Sequence, residues 1–289
     1  MAPDDIEKFL HNFDRGRRDF LRKILAGAAF APPLMASFSL DGPAITAAEA
    51  GVSNQCVGNQ TPTTQCFNFS DGEYQANFRG ILRAADLNPG TDLAGGGHPS
   101  LNFTGGAGPA GSTWLTVLDD EPPIFEDCQL SLHADVLFHK YNNTKGAGLL
   151  ALFNEKPGKK GLALLVYDAG NSDVLQLCTV DQAGNVVALK TISLGAGIGE
   201  NAWYRLTMEV TDPSVNVNVT GTVSRHMVPT NPDSPVTTQI GGTLSFSGPL
   251  PSGVDPSGEV GLVARAISAL VDLSVTNFCV TGFELSEPC

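Results

Sequence analysis

The chain has 289 residues, and its 30 acidic residues outnumber 17 basic ones, so the formal net charge is −13. A surface this acidic repels nucleic-acid phosphates and anionic lipid headgroups. We therefore expect neither nucleic acid nor a charged membrane surface as a partner. The length accommodates a short leader followed by one large domain or two small ones.

The first predicted element is an export signal over residues 1–50. Arg17 and Arg18 precede an alanine-rich apolar run over residues 24–38, which is too short and too interrupted by proline to remain as a membrane helix. Ala48-Glu49-Ala50 then offers the small-x-small pattern of a cleavage site. This arrangement resembles the twin-arginine signal peptide of bacteria. The resemblance implies recognition by the twin-arginine export machinery, a periplasmic or secreted location, and a mature form without a membrane anchor.

Residues 51–112 are predicted to form an N-terminal extension that packs on the main domain. They are rich in Gly, Pro, Asn and Thr, and only CFNF (66–69) and YQANFRGILRAAD (74–86) carry enough apolar residues to pack. We expect one or two strands and one short helix from this part. The glycine-rich residues 95–111 are predicted to be a long surface loop.

The main domain, residues 113–289, is predicted to be all-β. Apolar residues alternate with polar ones in short runs, as in residues 128–139, and hairpin-type turn residues separate the runs. Such a series indicates an antiparallel β-sandwich or barrel. The predicted strands are 113–118, 128–139, 146–154, 161–169, 172–181, 185–193, 202–210, 214–223, 258–266 and 270–285.

Several of these runs resemble the concanavalin A-like lectin and glucanase superfamily, specifically its laminin-G-like and DUF1080-type bacterial members. The resemblance is carried by FEDCQLSLHADV, by GAGLLALFN with GLALLVYD, by WYRLTMEV with VNVNVTGTV, and by GEVGLVAR with LVDLSVTNFCV. It implies a jelly-roll sandwich. Lectins, glycoside hydrolases, carbohydrate-binding modules and adhesive domains all share that fold, so the resemblance is specific for the fold and weak for the activity.

All six cysteines lie in the exported part, where an even number indicates disulfides. One arrangement pairs Cys56 with Cys66 and Cys279 with Cys289, which leaves Cys128 for Cys178. An alternative links the N-terminal pair to the C-terminal pair, because chain ends often meet in sandwich folds. The spacings match neither zinc nor haem sites, so we expect no metal and no cofactor.

Two strands carry the candidate ligand-binding residues. If Leu130 and its alternating apolar partners face the core, then His133, Asp135 and His139 share the opposite face of their strand. The later strand likewise places Trp203 and Arg205 outward. An imidazole, a carboxylate and a guanidinium can bond sugar hydroxyls, while an exposed indole can stack on a pyranose ring. A polar solvent-facing surface and simple packing are the alternative explanations.

No motif assigns a catalytic residue. The acidic cluster Asp119-Asp120-Glu121 lies on a proline-terminated loop, which is a poor way to hold two carboxylates at the spacing that glycoside hydrolysis requires. The expected function is therefore non-catalytic: an exported jelly-roll domain that binds carbohydrate or another cell-surface ligand. The alternatives are a sugar-acting hydrolase of the DUF1080 type and a structural or adhesive envelope protein.

Overall fold

The computed structural model describes residues 62–70, 72–106, 112–119, 129–139, 145–168, 173–195, 198–211, 216–226, 238–266 and 270–282. These ranges contain sixteen β-strands, one helix of five residues, α1 (Glu73–Asn77), and one 3-10 turn (Ala84–Asp86). The strands are β1 (Thr63–Phe67), β2 (Phe78–Leu82), β3 (Leu87–Thr91), β4 (Pro99–Gly106), β5 (Ser112–Leu118), β6 (Gln129–Phe138), β7 (Lys145–Phe153), β8 (Lys160–Asp168), β9 (Asp173–Asp181), β10 (Val186–Gly195), β11 (Trp203–Thr211), β12 (Val217–His226), β13 (Thr238–Gln239), β14 (Leu244–Gly248), β15 (Glu259–Ala266) and β16 (Leu270–Gly282).

The described strands form two antiparallel sheets. Sheet A has the order β13-β12-β11-β6-β16-β4-β3, with β1 also paired to β16 and β14 to β12. Sheet B has the order β10-β9-β8-β7-β15-β5-β2. Because β4, β6 and β16 lie in sheet A while β5, β7 and β15 lie in sheet B, the chain crosses repeatedly between the sheets. The predicted antiparallel β-sandwich is confirmed, and its crossing pattern is that of a jelly roll.

The main core lies between the two sheets. As predicted, the even-numbered residues of β6 face it, from Leu130 to Phe138, and all are at most 3% exposed. In the neighbouring β11, Tyr204, Leu206 and Met208 face the same core. The alternation that the sequence shows therefore assigns the inward face of sheet A correctly.

The N-terminal extension contributes more to the sandwich than predicted. It supplies four strands, β1 to β4, and the predicted short helix is α1. The prediction of a surface loop over residues 95–111 is wrong for its centre, since residues 99–106 form β4. Leu101 and Phe103 of this strand are fully buried. The long strand β16 provides the pairing partner that orders this glycine-rich segment.

Sheet B carries a second apolar cluster on the face that points away from sheet A. Its members, buried like the main core, are Leu115, Val117, Leu150, Phe153, Ala163, Leu165, Tyr167, Cys178, Val180 and Val263. Three strands separate β9 from β5 in the sheet, yet the β9–β10 turn contacts β5, where the Thr113 hydroxyl donates to the Gly184 carbonyl (2.8 Å). The sheet is therefore curved, and this outer face is its concave side.

One disulfide joins the two ends of the described sandwich. Cys66 of β1 lies directly opposite Cys279 of β16, with a Cα–Cα distance of 4.1 Å, and the two are bonded. The link between N-terminal and C-terminal cysteines is thus confirmed, whereas the local pairing of these two cysteines is wrong. Cys178 is a buried free thiol, so its predicted disulfide with Cys128 is also wrong. Cys56, Cys128 and Cys289 lie outside the described residues, as does the predicted signal in residues 1–50.

Candidate functional site

The two strands that carry the predicted ligand-binding residues are neighbours in sheet A. β6 and β11 pair so that Asp135 lies opposite Arg205, and the outward side chains of both strands share one face. The expectation that this face is open to solvent is wrong at three positions: Asp135 is 0% exposed, Trp203 is 7% exposed, and the Arg205 side chain is 11% exposed. Burial prevents Trp203 from offering a free stacking surface.

Asp135 is buried because neighbouring strands supply its partners. The Arg205 guanidinium donates through Nε to Oδ1 (2.8 Å) and through Nη2 to Oδ2 (2.9 Å), a two-point geometry that is stronger than a single contact. His226 Nδ1 of β12 lies 3.1 Å from Oδ2. Asn277 Nδ2 donates to the same oxygen (2.7 Å) from a bulge in β16, where its φ of 48° is one that Asn tolerates better than most residues.

This set of partners decides the charge of the carboxyl group. Burial by itself raises the pKa of Asp135, but the nearby His226 imidazole and the hydrogen bonds from Arg205 and Asn277 outweigh burial and hold it below its usual value. Asp135 is therefore ionised at neutral pH and neutralised by Arg205. A buried, internally paired charge of this kind has little capacity left for a ligand.

The remaining predicted residues have other neighbours. His133 is partly buried and lies opposite Thr207 of β11. His139 Nδ1 shares a hydrogen bond with Asn201 Oδ1 (3.0 Å). The ring of Trp203 meets the ring of His98 edge to face, with centroids 6.0 Å apart. Three of the predicted residues are thus buried or nearly buried, and an open surface must be sought elsewhere. Ligand binding stays a prediction for His133, Asp135, His139, Trp203 and Arg205.

A polar cleft of about 400 Å³ lies at one rim of the concave side of sheet B. It is open to solvent, and segments from four parts of the chain line it. The lining residues are Leu82, Arg83, Ser112, Thr113, Ala183, Gly184, Asn185, Val186 and Arg265. The two charged residues in this lining are arginines, although acidic residues predominate in the chain as a whole.

The β9–β10 turn forms one wall of the cleft. The Asp181 carboxylate accepts from the backbone N–H groups of Ala183 and Asn185 (2.9 Å each) and from the Asn185 side-chain amide (2.9 Å), so its oxygens bond the turn itself. Gly184 adopts φ +80°, and a Cβ there would meet Leu82 at 2.7 Å and Thr113 at 3.0 Å. Only glycine therefore fits where this turn docks on β5.

The two arginines of the lining have different surroundings. The Arg83 guanidinium carbon lies 4.9 Å from the ring centroid of Trp114, and Nη1 lies 3.5 Å from an oxygen of Asp86. Arg265 donates to the Tyr167 hydroxyl (3.3 Å) and forms no ion pair with any residue that the structure describes. Its positive charge is consequently the less compensated of the two.

A cluster of acids lies elsewhere on the same face of sheet B. Arg79 donates to Asp119 (2.9 Å), Glu259 (2.9 Å) and Glu155. Asp119, the described member of the predicted acidic cluster, is thus an ion-pair partner with a half-exposed side chain. Asp120 and Glu121 lie outside the described residues. Within the described ranges, no group of His, Cys, Asp and Glu side chains has a metal-binding arrangement.

Fold and site together define an antiparallel β-sandwich with a polar cleft at the rim of its concave sheet. No protein-family model matches the chain, and neither does any curated protein sequence. Solved structures do align with it. Lectin I from Ulex europaeus, in complex with the methyl glycoside of α-L-fucose, is 11% identical at a TM-score of 0.47 and covers 78% of this chain and 99% of the lectin.

Other solved structures give similar values. A peanut lectin with a nine-residue peptide is 13% identical at a TM-score of 0.47, over 78% of this chain and all of the lectin. The carbohydrate-binding module CBM66 from Bacillus subtilis is 10% identical at a TM-score of 0.41, over 70% of this chain and 92% of the module. With TM-scores below 0.5, these similarities carry no conclusion about function, and the architecture rests on the strand order of the chain itself.

The cleft was not predicted from the sequence because its residues lie in four separate segments. Leu82 and Arg83 fall in the part interpreted as an extension, and Asn185 in a region that reads as an ordinary hairpin turn. Arg265 offered the one available signal, since it is a charged residue within the apolar run GEVGLVARA. Alternation places Arg265 on the face of its strand that points away from the core. A charged residue in that place indicates that this face reaches a polar site.

Proposed function

We propose that this protein is an exported, non-catalytic jelly-roll domain that binds carbohydrate in the cleft at the rim of sheet B. The observation that carries the proposal is the cleft itself: a solvent-open volume of about 400 Å³ lined by hydroxyl, amide and guanidinium groups beside Leu82 and Val186. Saccharide recognition combines a few directed hydrogen bonds to ring hydroxyls with apolar contact against the ring. This lining supplies both.

The packing around the cleft supports binding to a preformed site. The turn that forms one wall is held by the three hydrogen bonds to Asp181 and by the bond from Thr113 to Gly184. Because these groups are ordered before the ligand arrives, little conformational entropy is lost on binding. Shallow sites for sugars gain affinity in this way.

The experiment compares two glycines of equal backbone conformation. Gly184 and Gly158 both lie in hairpin turns with φ +80°, but a Cβ at Gly158 meets no atom within 4 Å. Gly184→Ala displaces the turn from β5 and should abolish retention on a glycan array. Gly158→Ala carries the same backbone cost and should retain the wild-type pattern.

Three results would overturn the proposal. Wild-type protein that retains no glycan would exclude carbohydrate binding. Equal retention by wild type and Gly184→Ala would place the site away from the cleft. Equal loss in both variants would show that general destabilisation, and not the shape of the cleft, controls retention.

A second candidate, a sugar-acting hydrolase, has one favourable observation. Glu155 and Glu259 both bond the Arg79 guanidinium and therefore lie near each other, and burial raises the pKa of Glu259 despite the opposing charge of Arg79. A carboxyl group with a raised pKa beside a second carboxyl group is the pattern of a glycosidase acid and its partner. Release of reducing sugar by the wild type and its loss in Glu259→Gln would establish this function; no release excludes it.

A further inference from the structure

Arg265 lies at the cleft, and no described residue supplies it with an anionic partner. In this chain Arg79, Arg83 and Arg205 each bond or approach a carboxylate. Arg265 is partly buried on the concave face, yet its hydrogen bond goes to the neutral hydroxyl of Tyr167. A partly desolvated cation gains most from a counter-ion, and the described part of the chain supplies none here.

The groups beneath Arg265 do not become anionic at neutral pH. Burial raises the pKa of the Tyr167 phenol to about 12, and Arg265 opposes the shift only in part. Burial likewise raises the pKa of the Cys178 thiol to about 12. Asp181, in the facing turn, directs its oxygens to the N–H groups of that turn. The positive charge of Arg265 is therefore available to a molecule that enters the cleft.

We infer that the saccharide bound in this cleft carries a carboxylate, as uronic acids do, and that Arg265 pairs with it. The inference rests on the proposed function and names the ligand class of the same site. A guanidinium donates two parallel N–H···O bonds to the two oxygens of a planar carboxylate. A sugar hydroxyl has one oxygen and cannot accept such a pair. Arg83 also lines the cleft, with its charge partly offset by Asp86.

The chemistry also explains how so acidic a protein could select an acidic ligand. The net charge of −13 repels polyanions at long range. Screening limits that repulsion to about 8 Å at physiological ionic strength, so contacts within the cleft decide affinity. A carboxylate placed against Arg265 is therefore favoured despite the acidic net charge of the chain.

The test uses the full chain on alginate, polygalacturonate and hyaluronan, each beside its methyl ester. Esterification removes the charge and leaves the sugar backbone in place. Wild-type protein should bind at least one acid form and bind its ester about 10- to 100-fold more weakly, as expected for a lost charge-assisted bond. Arg265→Gln should lose affinity for the acid form by a similar factor. The control Arg225→Gln makes the same charge change at an exposed residue of sheet A and should bind as the wild type does.

The results separate a failure of the carboxylate inference from a failure of carbohydrate binding itself. Equal binding of acid and ester forms would overturn the carboxylate inference and leave carbohydrate binding intact. Binding of neutral glycans alone would do the same. No binding to any glycan would overturn both. Unchanged affinity in folded Arg265→Gln would remove Arg265 from the site, and the comparison of acid with ester on wild-type protein stands even if that variant does not fold.

Discussion

Asp135→Asn tests whether the predicted ligand-binding face of sheet A is a structural ion-pair cluster. The substitution preserves the shape of the side chain and removes its charge. The side chains of Asp135 and Arg205 are 0% and 11% exposed, so the variant leaves a nearly buried guanidinium facing a neutral amide. Breaking a buried pair by removing one partner costs about 3–5 kcal/mol. We expect the free energy of unfolding to fall by about that amount.

The control is the same substitution in an exposed ion pair. Asp119 bonds Arg79 at 2.9 Å, but its side chain is 52% exposed and Arg79 keeps two further carboxylates. Asp119→Asn should cost about 0–1 kcal/mol. Urea unfolding measures both variants, with the midpoint shifting at constant slope.

The pH dependence of the free energy of unfolding gives an independent check that the charged form of Asp135 stabilises the fold. Because the pKa of Asp135 is lowered in the folded protein, its contribution is fully present above the unfolded value of about 4 and is lost as the pH falls through the folded value. The difference in stability between wild type and Asp135→Asn should therefore shrink below about pH 4. A loss of about 1 kcal/mol or less at neutral pH, equal to that of the control, would refute the buried-pair reasoning and return Asp135 to the candidate ligand site.

Three further predictions concern two buried side chains and the predicted export signal. Trp203→Ala should lower stability by about 3–5 kcal/mol, as for other buried aromatic residues, and calorimetry checks this; an unchanged melting temperature would restore the view of an exposed stacking platform. Cys178 should resist alkylation in the folded protein and be labelled after unfolding, as peptide mapping would show, because burial raises its pKa to about 12. Replacing Arg17 and Arg18 with Lys should hold the full-length precursor in the cytoplasm, as fractionation would show, and export of a mature-size double variant would exclude the twin-arginine signal.

Most strands of the main domain were predictable because one face of each must be apolar, whereas β13 and β14 fall outside every predicted strand. Period-two alternation assigns Leu130 and its partners to the core, and turn residues mark the ends of nearly every predicted strand in the described part. The strand β4 was missed because glycines surround a short apolar pair, Leu101 and Phe103. Its strand conformation depends on pairing with β16, more than 160 residues later, and no local pattern reports such a partner.

The candidate site was harder to predict. Alternation separates the inward face of a strand from its outward face, but it does not show whether other residues cover the outward face. Asp135 and Trp203 do point away from the core, as predicted, and yet both are buried. Asp135 obtains its partners from β11, β12 and β16, and each partner is unremarkable in its own segment. Burial of a polar face is a property of tertiary structure, so the sequence indicated Asp135 and Arg205 but neither their burial nor the contacts with His226 and Asn277.

The two sheets bury their outer faces by different chemistry, and that difference places the opening. Sheet A neutralises outward charges among its own strands, as Asp135 and Arg205 do. Sheet B carries apolar outward residues and curves until the β9–β10 turn reaches β5. Because the turn is short, the contact between Gly184 and Thr113 leaves a gap beside it, where Arg265 meets solvent. Because the proposed ligand site lies at a rim, changes in turn length and turn residues should alter specificity without disturbing either sheet.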